Sequence, residues 1–282
     1  MKPIQKFMLV DTDSIFFKIA YKAKNQSELR RSYNSFCNSM KMEVTEKLIN
    51  PFNEQEKLVV LYAVKGKGNY RKDLSPDYKS NRPELDKKIR ERLNYLHKYA
   101  VSKGAIQADG MEADDLVSIW AHEALENKED YVICGIDKDL LQIPGHHYNY
   151  GKDTWQLVNE EEALHNLYIQ CLTGDNTDNI PGLKGIGPKK AEKILAGVPL
   201  SRQWNKIKSA WKEHGQTMKQ LDLSHKLLRM LTSWKEYEDI KAHIQGETSV
   251  SKSDDVQEQS NKADQVRRVC LLYTSDDADD LL

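Results

Sequence analysis

The residues most able to do chemistry in this 282-residue chain are carboxylates gathered in four short clusters. Asp11 and Asp13 close an apolar run in LVDTDS, and Glu112, Asp114 and Asp115 lie in GMEADDL. Asp137 and Asp139 follow an apolar run in YVICGIDKDL, and Asp175 and Asp178 lie in TGDNTDNIPG. Glu112 and Asp115 are three apart and share one face of a helix, as do Asp175 and Asp178 if helical. Asp137 and Asp139 flank one residue and, on leaving a strand, can point into one crevice. Converging carboxylates repel and raise one another's pKa. A hard divalent cation resolves that conflict, and oxygen-only ligation favours Mg²⁺ or Mn²⁺. Two such ions about 4 Å apart activate a water and stabilise both oxygens of a phosphodiester displacement. Any one pair taken alone reads as a helix N-cap, where Asp is favoured. Four clusters at the ends of apolar runs favour a metal site.

Two basic segments accompany the acids. Residues 65–103 hold 12 Lys/Arg against 5 Asp/Glu, and residues 181–226 hold 10 against 3, although the whole chain carries a formal net charge of −1. Such segregation suits a protein that grips a polyanion. In KGKGNYRKDLSPDYKSNR, residues 65–82, Arg71, Lys72, Lys79 and Arg82 are candidates for phosphate contact, with Tyr70 and Tyr78 placed to stack on unpaired bases. In GLKGIGPKKAEKIL, Gly185 and Gly187 allow a tight turn whose amides approach a phosphate. Pro188 suits the first turn of the helix that follows, and Lys189 and Lys190 sit where its dipole attracts anions. This is the physics of a helix–hairpin–helix gripping a DNA backbone without reading bases.

These groups must be positioned by a scaffold. Apolar runs predict strands at residues 7–10, 58–64 and 131–136, with a hairpin formed by 148–150 and 155–158. Apolar residues three or four apart predict helices through Phe36, Met40, Val44 and Leu48, through Ile89, Leu93, Leu96 and Ala100, and through Leu116, Ile119 and Trp120. Strands alternating with helices predict an α/β fold with a mostly parallel sheet, whose ligands gather beyond the carboxyl ends of the strands. The expected organisation is an α/β core over residues 1–160 and a helical region over 161–245, with its hairpin at 181–195. After about residue 160 no further strand is expected. From residue 246 the composition turns polar and disorder is expected. Residues 267–282 resemble a sequencing-adapter read-through rather than protein.

Several classes are excluded. No run of 18 apolar residues is present, so a transmembrane helix is not expected. The short N-terminal apolar run is no signal peptide, which points to the cytoplasm, of a host cell if the chain is phage-encoded. The four cysteines form no C-x-x-C pair and suggest neither a disulfide framework nor zinc.

Taken together, LVDTDS, YRKDLSPDYKSNR, GMEADDL, GIDKDL and GDNTDNIPGLKGIGPKKA resemble, in order, the motifs of the flap endonuclease/5′-3′ exonuclease family. That family includes phage 5′-nucleases and the 5′-nuclease domain of bacterial DNA polymerase I. The resemblance implies a PIN-like, Rossmann-like sheet with a helical arch at about 65–103, followed by the helix–hairpin–helix. It implies metal ligation by Asp11, Glu112, Asp114, Asp115, Asp137, Asp139, Asp175 and Asp178, with Lys79 and Arg82 acting on the phosphate. It also implies two Mg²⁺ ions, replaceable by Mn²⁺, and K⁺ at the hairpin. The implied partner is DNA with 5′ ends or flaps, or an RNA–DNA hybrid, bound by a monomer acting in replication or repair. One departure stands out: the family's aspartate ending the second core strand is replaced by Val64, with Asp13 as a substitute ligand. The alternatives are a structure-specific DNA-binding protein with impaired catalysis and a PIN-like RNase.

Overall fold

The computed structural model describes residues 4–246. The disorder expected beyond residue 246 and the read-through peptide at 267–282 lie outside the described residues. In chain order the elements begin with β1 (Ile4–Asp11), α1 (Asp13–Ala20), α2 (Gln26–Leu48), β2 (Glu56–Lys65), α3 (Tyr70–Leu74), α4 (Lys87–Ser102) and β3 (Ile106–Ala108). They continue with α5 (Ala113–Glu126), β4 (Asp130–Cys134), a 3₁₀ turn (Lys138–Gln142), β5 (Gly145–Asn149), β6 (Thr154–Val158) and α6 (Glu160–Thr173). The two-residue strands β7 (Gly174–Asp175) and β8 (Ile180–Pro181) precede α7 (Pro188–Leu195), α8 (Leu200–Glu213), α9 (Met218–Leu228) and α10 (Trp234–Ile244).

The main sheet has six strands in the order β3-β2-β1-β4-β5-β6, all neighbours parallel except the β5–β6 hairpin. Alternation along β1 explains its helical cover. Phe7 and Leu9 face a core completed by α5 and α10, while Met8 and Val10 face one completed by α1, α2 and α4. The strand order reverses between β1 and β4, and in open α/β sheets the crevice outside that switch point is where ligands bind. Asp11 ends β1 on one side of the crevice, and Gly135, Ile136 and Asp137 leave β4 on the other.

Two sequence expectations need correction. The third strand ends at Cys134 rather than 136, since Gly135 and Ile136 already belong to the loop that carries Asp137. Strand pairing also recurs after residue 160, in β7 and β8. Propensity gives no signal there because the pairing depends on missing side chains. A Cβ on Gly174 would strike the backbone of 180–182, and one on Gly182 would strike that of Thr173 and Gly174. Gly174 also adopts φ 68°, which glycine tolerates best. β3, three residues long, was too short to predict.

Of residues 65–103, expected to arch over the site, α4 is docked against α1 and α2 through the buried Leu96 and Ala100. Burying Leu96 alone is worth about 2 kcal/mol. The longest exposed run within 65–103 is 80–84.

Candidate active site

All four carboxylate clusters reach the crevice mouth. Asp11 is 4 % exposed and accepts a hydrogen bond from Ser14 Oγ (2.9 Å). Burial, then the charges of Asp13 and Asp137, raises its pKa to about 7. Asp114 is driven well above the usual carboxylate range by burial and then by Glu112, Asp11 and Asp137. Asp139 rises to about 7 through burial and then Asp137, with Asp175 and Asp178 adding to it. The charge of Asp137 thus acts on Asp11, Asp114 and Asp139 alike.

Cations balance part of this charge. Lys79 Nζ contacts a Glu112 oxygen and lies 3.3 Å from Asp178 Oδ2, while Arg82 Nη2 donates to Asp178 Oδ1 (2.6 Å). Burial pushes Glu112 up, but Arg71 and Lys79 outweigh it and its pKa is lowered overall. Lys138 holds Asp175 Oδ2 at 2.7 Å and, against burial, keeps that carboxyl low. Among the described residues, Asp11, Asp13, Asp114, Asp137 and Asp139 have no side-chain ion pair. As the side chains stand, no three acidic, histidine or cysteine groups among the described residues close on one point. The donor set nonetheless fits hard divalent ions: it is all oxygen and anionic in excess, with Asp11, Asp114 and Asp139 raised by burial and then by neighbouring carboxylates.

The N-cap role weighed for single aspartates is present as well. Asp137 Oδ1 accepts the Asp139 N–H (3.0 Å), and Asp175 Oδ1 accepts the Thr177 N–H (2.7 Å). Asp137 thereby caps the 3₁₀ turn, whereas Asp175 lies in β7 before a turn and caps no helix.

Residues 6–171 match the family of 5′-3′ exonuclease N-terminal, resolvase-like domains. The chain belongs to that family. It is 31% identical over 153 residues to DNA polymerase I of Rhizobium leguminosarum, covering 49% of this chain and 15% of that protein. It is 30% identical over 145 residues to the 5′-3′ exonuclease of Bacillus subtilis, covering 46% and 49%. The matched part thus spans half or less of these relatives. Its fold is that of the bacteriophage T5 D15 flap endonuclease solved as a pseudo-enzyme–product complex with DNA and metal ions. That likeness has a TM-score of 0.61 at 16% identity and covers 94% of this chain and 99% of the other.

Within this 5′-3′ exonuclease domain, four sequence assignments change, Tyr70 among them: expected to stack on a base, it is buried in the core against Tyr237. Arg71, expected to contact DNA, is only 3 % exposed. Its guanidinium pairs in bidentate fashion with Asp115 and donates to the carbonyls of Leu227 (2.8 Å) and Arg229 (2.8 Å), so four of its five N–H groups are taken and burial keeps it from a phosphate. Asp115, expected as a metal ligand, is 1 % exposed and also accepts the N–H groups of Glu112 (3.1 Å) and Leu231 (3.1 Å). Its oxygens are filled by protein. Tyr78 is buried rather than free to stack on a base, and its hydroxyl donates to Glu112 Oε2 (2.9 Å) or Asp178 Oδ2 (3.0 Å).

The remaining DNA-contact candidates stand outside the crevice. Lys72, Gly185, Gly187, Lys189 and Lys190 are exposed, and the space a Cβ would fill at Gly185 and Gly187 is open. Lys190 Nζ turns back onto the Gly185 carbonyl (2.8 Å). The hairpin follows β8 directly, so it is tied through a short chain to Asp175 and Asp178.

Val64 is fully buried in the α1–α2–α4 core. The carboxylate of Asp13 reaches the end of β2 instead, where its oxygens accept the Lys65 N–H at 3.2 and 3.1 Å. Sequence reasoning overlooked Ser14, Lys138 and Asn69, whose Nδ2 donates to Glu112 Oε1 (3.0 Å). Lys138 was signalled by its place between Asp137 and Asp139. Asn69 carried no signal, being 43 residues from its partner.

Proposed function

We propose that this chain is a divalent-metal-dependent 5′-3′ exonuclease and flap endonuclease that hydrolyses phosphodiester bonds near DNA 5′ ends. The observation that carries the reading is Asp137, whose charge acts on Asp11, Asp114 and Asp139 at the β1/β4 switch point, with the basic turn bearing Lys79 and Arg82 alongside. Asp11, Asp114, Glu112 and Asp13 would hold one Mg²⁺, and Asp139, Asp175 and Asp178 a second, with Asp137 next to both. Such ions, when bound, lower the pKa of water and neutralise charge on the reacting phosphate. Lys79 and Arg82, beside Glu112 and Asp178, would draw in the scissile phosphate and stabilise its developing charge. Lys189 and Lys190, at the α7 N-terminus, hold the duplex backbone away from the reacting end.

The test is cleavage of a 5′-labelled flap and a nicked duplex with Mg²⁺, Mn²⁺ or EDTA. Metal-dependent cutting supports the reading. Tight flap binding without cutting in either metal would replace it with a binding role and implicate Val64. Preference for RNA over DNA flaps would favour the RNase alternative.

Asp13 has a sharper test. If its carboxylate replaces the missing strand-end aspartate, Asp13→Ala should raise the Mg²⁺ concentration for half-maximal cleavage about 10–100-fold. An unchanged metal titration removes Asp13 from the ligand set.

A further inference from the structure

The basic turn that carries Lys79 does not reach the carboxylates on its own. Lys79 sits at φ 58° and Asn179 at φ 57°, both in the left-handed region that side chains seldom adopt. The two residues belong to facing loops, 77–82 and 175–179, and hydrogen bonds clasp those loops together. The Lys79 N–H donates to the Asp178 carbonyl (2.9 Å). Asn179 Nδ2 donates to the Asp77 carbonyl (2.9 Å) and to Ser80 Oγ (3.1 Å), on either side of Lys79. Asn81 Nδ2 returns a bond to the Asn176 carbonyl (2.6 Å). Asn179 is nevertheless exposed, so it contributes little to the core.

From this geometry we infer that Asn179 is a positioning residue, setting Lys79 at a fixed height over Glu112 and Asp178 through its side-chain amide. The inference rests on the nuclease reading and deepens it. Asparagine is among the few non-glycine residues that enter the left-handed region readily, and its amide can bracket the opposing turn while there. Without the amide, the loops keep the Lys79 N–H, Asn81 and Arg82 bonds but lose the two that bracket Lys79, and the turn at 77–80 gains freedom to slide. A shift of about 1 Å at a group aimed at a reacting phosphate costs on the order of 10²-fold in rate.

Glycine separates the amide from the backbone, because it holds positive φ without strain. The experiment measures single-turnover flap cleavage at saturating DNA, flap affinity and Tm for Asn179→Gly, Lys79→Met and the double variant. The expected result is a 10–100-fold lower rate for Asn179→Gly, with affinity within about twofold and Tm nearly unchanged. In the Lys79→Met background the same change should cost less than about twofold, since coupled residues are not additive. A wild-type rate in Asn179→Gly overturns the inference. So does an equal loss in both backgrounds, which would mean that Asn179 acts independently of Lys79. Absence of cleavage by the unaltered protein overturns the nuclease reading and this inference with it.

Discussion

Arg71→Met should destabilise the protein by about 3–5 kcal/mol in urea or guanidinium unfolding, the cost of leaving a buried charge without its partner. Asp115, 1 % exposed, would lose its bidentate cation, and the carbonyls of Leu227 and Arg229 would lose their donors. The pair joins three segments far apart in sequence: the α3 turn, the start of α5, and the stretch from the end of α9 to Leu231. Because Asp115 Oδ2 also accepts the Glu112 N–H, loss of the cation loosens the helix start that aims Glu112 into the crevice. Adding Asp115→Asn to Arg71→Met should recover part of the stability, by removing the orphaned charge while keeping an acceptor. A loss below about 1 kcal/mol in the single variant would mean that water or a rearranged loop replaces the guanidinium.

Asp11→Asn should trade activity for stability. Its cleavage rate should fall roughly 10²–10³-fold, a typical loss for one electrostatic group aimed at the reacting centre. In EDTA, however, it should be more stable than the parent at pH 8. The sign follows from proton binding. The Asp11 pKa is about 7 in the folded protein, raised by burial and then by Asp13 and Asp137, against about 3.9 unfolded. Between those values the folded state binds the extra proton, so stability is greatest in acid and falls as pH rises through the window. By pH 8 the full cost is present, on the order of a few kcal/mol. Asp139, also near 7, acts in the same direction. Saturating Mg²⁺ should restore the parent at pH 8 and do much less for the variant. Metal-free parent protein of equal stability at pH 5 and pH 8 would contradict this account.

How much of this was legible in the sequence depended on distance along the chain. Three of the four carboxylate clusters were readable because they fall where a strand ends or a helix begins, and a strand end in an α/β sheet is already a location. Partners 40 or more residues apart were not readable. Arg71 and Tyr78 read as surface groups because their neighbours are basic and polar, yet Asp115 lies 44 residues on from Arg71 and Asp178 lies 100 from Tyr78. Spacing arguments reach one or two helical turns, and burial is decided by contacts beyond that reach. Sheet order was likewise hidden, although parallel strands flanked by helices left few choices.

The close approach of β7 and β8 bears on how this gene can vary. Every missense change at a glycine codon introduces a Cβ, and at Gly174 or Gly182 that atom would meet the opposite backbone rather than a side chain able to move. In a saturation library selected for function, both positions should come back as empty of substitutions as the aspartates between them, though neither glycine has a side chain to do chemistry. Sequence invariance there would report the width of a ribbon two backbones thick, and a survey ranking residues by intolerance alone would mistake it for catalysis.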